Sequence, residues 1–378
     1  MRARTPALAA LLVVIAAVTG ACAALDASER PPASLPVAEL LLVGFSGTAV
    51  ADNEEVRRLV CDVKVGGVIL FERDVATGQP RNIESAEQVK KLTADLQTLA
   101  RECAGRPLFI AADAEGGQVM RLSARLGYLP SLSPHELGMS GDVTLTELEA
   151  RRIGRMLRAA GINWDLAPVV DVGYNPANPV VVGTARSFSA NPRLVAEHAR
   201  AFVLGMRAEG VLTALKHFPG HGSSYGDSHR GFTDVTDTAA PEVELLPYRT
   251  LIDAGLADSV MTAHVFNRRL DGRRPATLSR ATISGLLRGE LGFAGPVVSD
   301  DLRMAAIEQQ YGLGEAAVLA IDAGVDMLLI VDNRLPDGGS AALVTLGAIR
   351  DALASGTLDP ARVEAALARI RAFRGRLP

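Results

Sequence analysis

Residues 212–229 read LTALKHFPGHGSSYGDSH, an apolar run that ends in charged side chains and continues into a stretch rich in glycine and histidine. Three of the chain's six histidines lie in this stretch. Its glycines and its proline are unfavourable in a helix interior, so the second half is predicted to be a loop. The sequence therefore predicts a buried strand over 212–218, followed by a loop that presents titratable groups.

Seven other apolar runs resemble 212–218, and longer amphipathic patterns typical of helices separate them. Buried runs that alternate with helices indicate parallel strands joined by crossover connections. Eight such units in 378 residues predict an α/β protein built as a single (β/α)8 TIM barrel. The predicted strands are residues 40–45, 66–71, 108–113, 163–168, 212–218, 259–265, 296–301 and 325–331.

The alternative architecture, a doubly wound sheet, requires a glycine fingerprint after its first strand. Residues 44–50 lack this fingerprint, and residues 220–226 carry Tyr225 where the third glycine would stand. Polar residues at the carboxyl ends of several predicted strands further favour a barrel, because these ends open on the face that carries active sites. The polar residues are Asp113, Lys216, His217, His264, Asp300, Asp301 and Asp332.

Local signals mark several helix boundaries. Ser85 and Gln88 predict a capping box, and Asn191–Pro192 and Asp359–Pro360 predict helix starts with proline in the first turn. Glycines that follow helical runs predict left-handed helix ends at Gly161, Gly210, Gly255 and Gly324.

The first 34 residues are predicted to lie outside the folded domain. Residues 1–21 carry two arginines, an apolar run and small residues in the order of a secretory signal peptide. Their end resembles a bacterial lipobox, which implies lipidation of Cys22, although Thr19 stands where such signals usually carry leucine. Residues 22–34 are interpreted as a tether and residues 35–378 as the (β/α)8 domain. We therefore expect an exported protein, either anchored to a membrane by an N-terminal lipid or free outside the cytoplasm.

Composition narrows the range of partners. The formal net charge is −4 with both signs interspersed, and aromatic residues make up 4% of the chain. Because no basic stripe is present, no nucleic-acid partner is expected, and no protein partner is implied. Cys61 and Cys103 are too few for a zinc site. An oxidising compartment would allow them to form one bridge, but buried free thiols are the expectation.

Three kinds of site could use the residues of the histidine-rich loop. His217 and His221 have a zinc-like spacing, but the intervening Phe-Pro-Gly disfavours the helix that would bring both rings to one ion. A phosphate cradle would need a GK[ST] ending, which the loop lacks. Asp227 and His229 fit acid–base chemistry, because the carboxylate can orient the ring and favour its protonated form. An Asp-x-His pair that only ties a surface turn remains the alternative.

KHFPGHG followed by DSH resembles the signature of glycoside hydrolase family 3 β-N-acetylhexosaminidases. The similarity extends along most of the chain after residue 34, in the same order and at the same spacing. It includes LLLVGF, GGVILF, DAEGGQVMRL, APVVDVG, RSF, MTAHV and RGELGFAGPVVSDDLRM. Members of this type are single (β/α)8 barrels, so the resemblance implies the same fold as the strand pattern.

The resemblance also implies roles for individual residues. It makes Asp300 the catalytic nucleophile and Asp227 with His229 the acid/base dyad, while Asp301 is expected to be a helix cap or a support. A carboxylate nucleophile implies a covalent glycosyl intermediate and net retention. The implied activity is a retaining exo-β-N-acetylglucosaminidase that acts on terminal β-linked GlcNAc of peptidoglycan fragments, without metal or organic cofactor. The sugar would be held by Asp113, Arg121, Arg186, Lys216 and His217.

Three other functions are alternatives. Another family 3 β-glycosidase, such as a β-glucosidase, would draw its acid from elsewhere than the DSH dyad. A lipoprotein that binds wall sugars without cleaving them would require loss of the dyad or of Asp300, and both are present. A metal-dependent hydrolase is the third. Ala114 and Ala185 depart from residues common in the family, which bears on fine substrate preference.

Overall fold

The computed structural model describes residue 1, residues 35–74 and residues 77–377. Apart from Met1, the predicted signal peptide, the tether and Cys22 lie outside the described residues. Within the described ranges, no helix has both the length and the apolar character needed to cross a membrane.

Eight parallel strands form the centre of the structure, and we number them β1–β8 in chain order. Around the sheet they run β7–β6–β5–β4–β3–β2–β1–β8. A parallel bridge between Val298 of β7 and Met327, just before β8, joins the two edges, so that the sheet closes into a barrel. The strands are Leu41–Gly44, Gly67–Ile69, Phe109–Ala112, Trp164–Asp165, Leu212–Phe218, Ser259–Thr262, Val297–Val298 and Leu328–Ile330.

The predicted (β/α)8 barrel is confirmed, and each of the eight predicted strands contains an observed one. Only β5, Leu212–Phe218, has the predicted bounds; the other seven are shorter. The residues that the prediction added lie mostly at strand ends, where the backbone leaves the ladder. Two short pairs lie outside the barrel: Ala114–Gly116 with Val119–Met120, and Thr233–Asp234 with Val265–Phe266.

Helices follow every barrel strand, as crossover connections between parallel strands require. The longer ones are Ala86–Ala104, Val143–Ala159, Pro192–Ala208, Pro241–Asp253, Ala281–Glu290, Leu313–Ala323, Ala341–Ala354 and Pro360–Arg374. Shorter helical segments are Val37–Leu40, Glu54–Arg57, Arg58–Val63, Ala124–Leu126, Pro134–Ser140, Ala276–Leu278 and Ala305–Glu308.

Most predicted helix boundaries are confirmed. Asn191 and Asp359 cap the two proline-started helices, because their side chains accept hydrogen bonds from the backbone N–H groups two residues later. The four predicted helix-ending glycines, from Gly161 to Gly324, all have φ between 66° and 113°, a region that glycine enters without a Cβ penalty.

The capping box predicted at Ser85 is wrong in its second half. Ser85 accepts from the N–H of Gln88, but the Gln88 side-chain oxygen accepts from the N–H of Glu84 instead of Ser85. The Gln88 amide also donates to two carbonyls, those of Thr48 and Asn82, and these bonds fix its position. A complete capping box occurs elsewhere, at Ser133 and Glu136.

The expectation of free thiols is also wrong. Cys61 and Cys103 form a disulfide, with their Cα atoms 4.8 Å apart. Cys61 lies in Arg58–Val63 and Cys103 near the end of Ala86–Ala104, and these two helical segments pack against each other. The spacing of 42 residues carries no sign of this proximity, which arises only when the barrel brings neighbouring helices together.

The amino ends of the strands meet a compact aromatic cluster. Phe109 and Trp164 begin β3 and β4, and both pack against Phe373 of the last helix at centroid distances of 5.2–5.3 Å. All three side chains are buried, and the Trp164 indole N–H donates to Ser259 Oγ. This packing fills the amino end of the barrel.

Candidate active site

A cavity of about 620 Å³ opens at the carboxyl ends of the barrel strands. Residues from separate parts of the chain meet there because all eight strands point the same way. Of the predicted catalytic and sugar-holding residues, Asp227 does not line this cavity. Those that line it are Asp113, Arg121, Arg186, Lys216, His217, His229 and Asp300. Asp301 and Asp332 line it as well.

Lys216, on β5, is anchored by two carboxylates. Its Nζ lies 2.9 Å from Asp113 Oδ1 and 2.6 Å from Glu115 Oε1, and its side chain is 2% exposed. Asp113 also accepts from Arg121 Nη2 at 2.9 Å. Burial opposes the charge of Asp113, but Lys216 and Arg121 outweigh it and hold the pKa of Asp113 well below its usual range. The carboxylate is thus ionised and fixed.

Arg186 is held in a bidentate pair with Glu115. Its Nε and Nη2 donate to the two Glu115 oxygens at 2.7 Å each, and the Glu115 side chain is fully buried. Burial opposes ionisation of Glu115, yet Arg186 and Lys216 lower its pKa. The pKa of Arg186 is raised because attraction from Glu115 exceeds the effect of burial. A bidentate guanidinium–carboxylate pair fixes direction as well as distance.

His217 extends this arrangement across β5. Its Nδ1 lies 2.6 Å from Asp171 Oδ2, and its Nε2 lies 3.3 Å from Arg186 Nη2. Asp171 also accepts from the backbone N–H of His221 at 2.8 Å. Despite full burial, the pKa of Asp171 is lowered, chiefly by His217. The charge network, as we call it below, comprises Asp113, Glu115, Arg121, Asp171, Arg186, Lys216 and His217.

Two members of the charge network, Glu115 and Asp171, were missed by sequence reasoning. Both lie in stretches that carry the family resemblance, DAEGGQVMRL and APVVDVG. Their place within these stretches was the signal that could have identified them. Nothing local indicates their partners, because Arg186 is 71 residues from Glu115 and His217 is 46 residues from Asp171.

Asp300 and Asp301 follow β7 and have different surroundings. Asp300 Oδ1 accepts from the N–H of Asp301 at 2.8 Å. Burial opposes its ionisation, but His264, His217 and His229 lower its pKa, so a charged carboxylate is favoured. Asp301 Oδ1 instead accepts from the N–H groups of Arg303 and Val331, and burial raises its pKa to about 6. Asp301 therefore braces the chain at β8, as expected of a support.

Asp227 and His229 are paired through both ring and backbone. Asp227 Oδ1 lies 2.8 Å from His229 Nδ1 and 2.9 Å from the His229 N–H. Burial disfavours the ionised form of Asp227, but these hydrogen bonds with His229 outweigh burial and lower the pKa of Asp227. The His229 side chain is 58% exposed and also lines the cavity. A pair that only tied the turn would not need the ring at the cavity.

Neither of the two histidines with zinc-like spacing offers a free ring nitrogen. His217 uses Nδ1 with Asp171 and Nε2 with Arg186, whereas His221 lies between two serine hydroxyls. Their ring centroids are 6.2 Å apart with the planes at 74°. His264, predicted at a strand end, is buried behind the cavity, where Nε2 donates to the Asp301 carbonyl.

Comparison with known proteins identifies relatives along most of the chain. Residues 34–373 match the glycosyl hydrolase family 3 N terminal domain. The chain is 35% identical to beta-hexosaminidase A of Pseudoalteromonas piscicida over 86% of its own length, but it spans only 55% of that relative. It is 34% identical to beta-hexosaminidase LpqI of Mycobacterium tuberculosis, covering 90% of this chain and 82% of the relative.

Solved structures give the same result. A family 3 β-N-acetylglucosaminidase from a Paenibacillus species superposes with a TM-score of 0.81 and 38% identity, over 90% of this chain and 62% of that one. The β-N-acetylhexosaminidase from Beutenbergia cavernae has a TM-score of 0.79 and 32% identity, and the match covers 90% and 97% of the two chains.

Proposed function

Since the chain belongs to glycoside hydrolase family 3, we propose that it is a retaining exo-β-N-acetylglucosaminidase. Its proposed substrates are terminal β-linked GlcNAc residues of peptidoglycan-derived fragments. The observation that carries this proposal is the joint presence of Asp300, His229 and the charge network around one cavity. The names of the relatives, beta-hexosaminidase and β-N-acetylglucosaminidase, support the choice of sugar.

Asp300 is proposed as the nucleophile. Its lowered pKa favours the carboxylate, which is the form that attacks. In the first step, an Asp300 oxygen bonds to the anomeric carbon while the glycosidic C–O bond breaks and its electron pair goes to the leaving oxygen. The glycosyl ester that forms has the inverted configuration, and its hydrolysis inverts it again, so the product keeps the β-configuration.

His229 is proposed as the general acid and then the general base. With Nδ1 on Asp227, its Nε2 gives a proton to the leaving oxygen in the first step. In the second step the neutral ring takes a proton from the water that attacks the anomeric carbon, and Asp300 leaves as a carboxylate. Asp227 fixes the ring orientation through its hydrogen bond with Nδ1.

The charge network is proposed to hold the terminal sugar. Arg121, Arg186 and Lys216 present N–H donors, and Asp113 presents carboxylate oxygens, which suits a ring of hydroxyl groups. Because buried partners fix these groups, they need little rearrangement when the sugar binds. The cavity opens at one end of a filled barrel, so the end of a glycan enters it more readily than the middle.

A panel of chromogenic β-glycosides on the purified protein tests this function. We expect the N-acetylglucosaminide to be cleaved with kcat/KM at least about a hundredfold above the glucoside, because a built binding site discriminates strongly against a missing polar group. A preference for the glucoside would favour the β-glucosidase alternative. Binding of GlcNAc without turnover would favour the non-catalytic wall-sugar-binding alternative, and loss of activity in excess chelator would favour a metal-dependent hydrolase.

Export is a separate part of the proposal, in which residues 1–21 are removed and Cys22 is lipidated. The residues of the signal support it, as does the Cys61–Cys103 disulfide, because such bridges persist in oxidising compartments. We expect the protein in the membrane fraction, and Cys22→Ser should release it or leave it unprocessed. Protein that stays in the cytosol with Met1 intact would contradict this.

A further inference from the structure

The residues of the dyad segment, 225–232, are exposed or half-buried with one exception. Ser228 is 2% exposed and is the one buried residue of the segment. Ser228 lies between Asp227 and His229, so the two catalytic side chains flank the point at which the segment enters the protein interior. An acid that must meet a substrate at a fixed place needs such an anchor.

The Ser228 side chain binds a buried histidine that the proposed chemistry does not use. Its Oγ lies 3.0 Å from Nε2 of His221, and the Nδ1 of the same ring lies 2.8 Å from Ser224 Oγ. Burial lowers the pKa of His221 to about 4, so the ring is neutral at neutral pH, with one donor and one acceptor nitrogen. A neutral imidazole between two hydroxyls can satisfy both nitrogens.

His221 is itself fixed to the barrel. Its backbone N–H donates to Asp171 Oδ1 at 2.8 Å, and its carbonyl accepts from Asn178 Nδ2 at 2.8 Å. Asp171 also binds Nδ1 of His217 in the charge network. The hydrogen-bond path from Ser228 therefore ends on the groups proposed to hold the sugar.

The Ser228 backbone makes a second connection, to the chain that follows Asp300. Its carbonyl accepts from the N–H of Ala306 at 3.2 Å. Ala306 belongs to the short helix Ala305–Glu308, which follows Asp300 along the chain and contributes Ala305 and Glu308 to the cavity wall. Ser228 thus links the dyad segment both to the sugar-holding network and to the loop of the proposed nucleophile.

We propose that Ser228 and His221 are positioning residues that hold His229 at the leaving-group side of the cavity. The inference rests on the proposed glycosidase function and adds a specific requirement to it. His229 protonates the leaving oxygen only from the place that the Ser228–His221 hydrogen bond defines. Loss of this bond should impair protonation while leaving the sugar-holding groups and Asp300 in place.

The test compares leaving groups in the full-length Ser228→Ala variant. With an alkyl N-acetylglucosaminide, whose departure requires protonation, we expect kcat/KM to fall about tenfold, the scale of one lost buried hydrogen bond. With the dinitrophenyl N-acetylglucosaminide, whose departure needs little protonation, kcat/KM should stay within about twofold of the wild type. KM for the activated substrate should not change, because the sugar-holding groups are untouched.

Ser223→Ala is the matched control. It removes a buried hydroxyl from the same loop, and this hydroxyl interacts with Glu244 and Tyr174 rather than with His221. We expect no selective loss on the alkyl substrate. His221→Phe, which keeps a ring but removes both ring nitrogens, should reproduce the Ser228→Ala pattern. The double variant should lose little more than either single variant, because both remove the same interaction.

Amide hydrogen exchange gives a readout that does not depend on turnover. In Ser228→Ala, exchange of residues 225–232 should become about tenfold faster, whereas exchange in the barrel strands should be unchanged. Equal loss on both substrates, or unchanged kinetics and exchange, would overturn the positioning role. An inactive but folded wild-type protein would instead overturn the glycosidase function on which the inference rests.

Discussion

The charge network and the dyad segment meet at one cavity but are built differently. In the network, the side chains of Glu115 and Lys216 are 0% and 2% exposed, and each carboxylate lies 2.6–2.9 Å from a lysine, arginine or histidine nitrogen. In the dyad segment, the His229 side chain is 58% exposed, and its ring pairs with Asp227, which is itself partly exposed. One region is locked by buried pairs, and the other is presented to solvent.

The difference fits the roles that we propose for the two regions. A part of the substrate that stays in place throughout the reaction is held best by groups fixed before binding, because they need no rearrangement in the transition state. A group that meets first a leaving oxygen and then a water molecule needs access from solvent. We therefore expect substitutions in the network to affect stability and activity together, and substitutions in the dyad to affect activity alone.

His229→Ala, in the solvent-exposed dyad segment, should have the largest effect on activity. Removal of the acid should reduce kcat/KM for alkyl N-acetylglucosaminides by about 10²–10⁴, with a much smaller loss on activated aryl glycosides. Because the side chain is largely exposed, the unfolding free energy should hardly change. Steady-state kinetics and urea unfolding measure the two effects. An equal loss on both substrate classes would assign His229 to binding instead of proton transfer.

Glu115→Gln should disrupt the buried charge network. It leaves Arg186 and Lys216 with one anionic partner fewer, and breaking a buried ion pair costs about 3–5 kcal/mol. We expect a loss of about 3 kcal/mol in urea unfolding and a higher KM for every substrate, because both cations would shift.

Glu149→Gln is the control for the network substitution. Glu149 is also buried and pairs with Arg152 at 2.6 Å, but it does not line the cavity. It should lose stability without a change in KM. If Glu115→Gln behaved in the same way, the network would be structural only.

Asp165→Asn should give the smallest effect on activity, together with an effect on stability that depends on pH. Asp165 lies beneath the network, fully buried, and burial raises its pKa from 3.8 to about 8. The folded protein therefore keeps a proton that the unfolded chain has lost, so this contribution to stability is present at low pH and disappears as pH rises towards 8. The Asp165→Asn variant has no titrating group at this position. Its stability relative to wild type should rise by up to about 1.4 kcal/mol per pH unit between about pH 5 and pH 8.

Thermal unfolding from about pH 5 to about pH 9 measures this difference. Asp95→Asn, which removes a partly exposed carboxylate paired with Lys91, should show no comparable trend. A difference between Asp165→Asn and wild type that stayed constant with pH would mean that Asp165 is ionised in the folded protein throughout this range.

The barrel could be predicted from the sequence because its signals are local. An apolar run, a polar end and a following helix identify each strand separately, and β5 was located to the residue. Strand ends were less certain, since β4 and β7 keep only two residues in the ladder. There the chain turns outward, and hydrophobicity alone does not show where pairing stops.

The site was predictable only where chemistry follows from neighbours in sequence or from the resemblance. Asp227 and His229 are two residues apart, so their pairing could be expected. Glu115 gave no such sign, because its partners come from the loop after β4 and from β5. The same holds for Cys61 and Cys103, whose meeting depends on how two helical segments pack. Local patterns predict elements, whereas long-range ion pairs and bridges require the assembled barrel.

Trapping of the covalent adduct tests the proposed bond between Asp300 and the sugar. A 5-fluoro N-acetylglucosaminyl substrate with an activated leaving group slows hydrolysis of the intermediate and leaves the acetamide intact. Peptide mapping by mass spectrometry should find the sugar on Asp300, and the Asp300→Ala variant should form no adduct. Labelling of Asp301, or a product of inverted configuration without any adduct, would rule out Asp300 as the nucleophile.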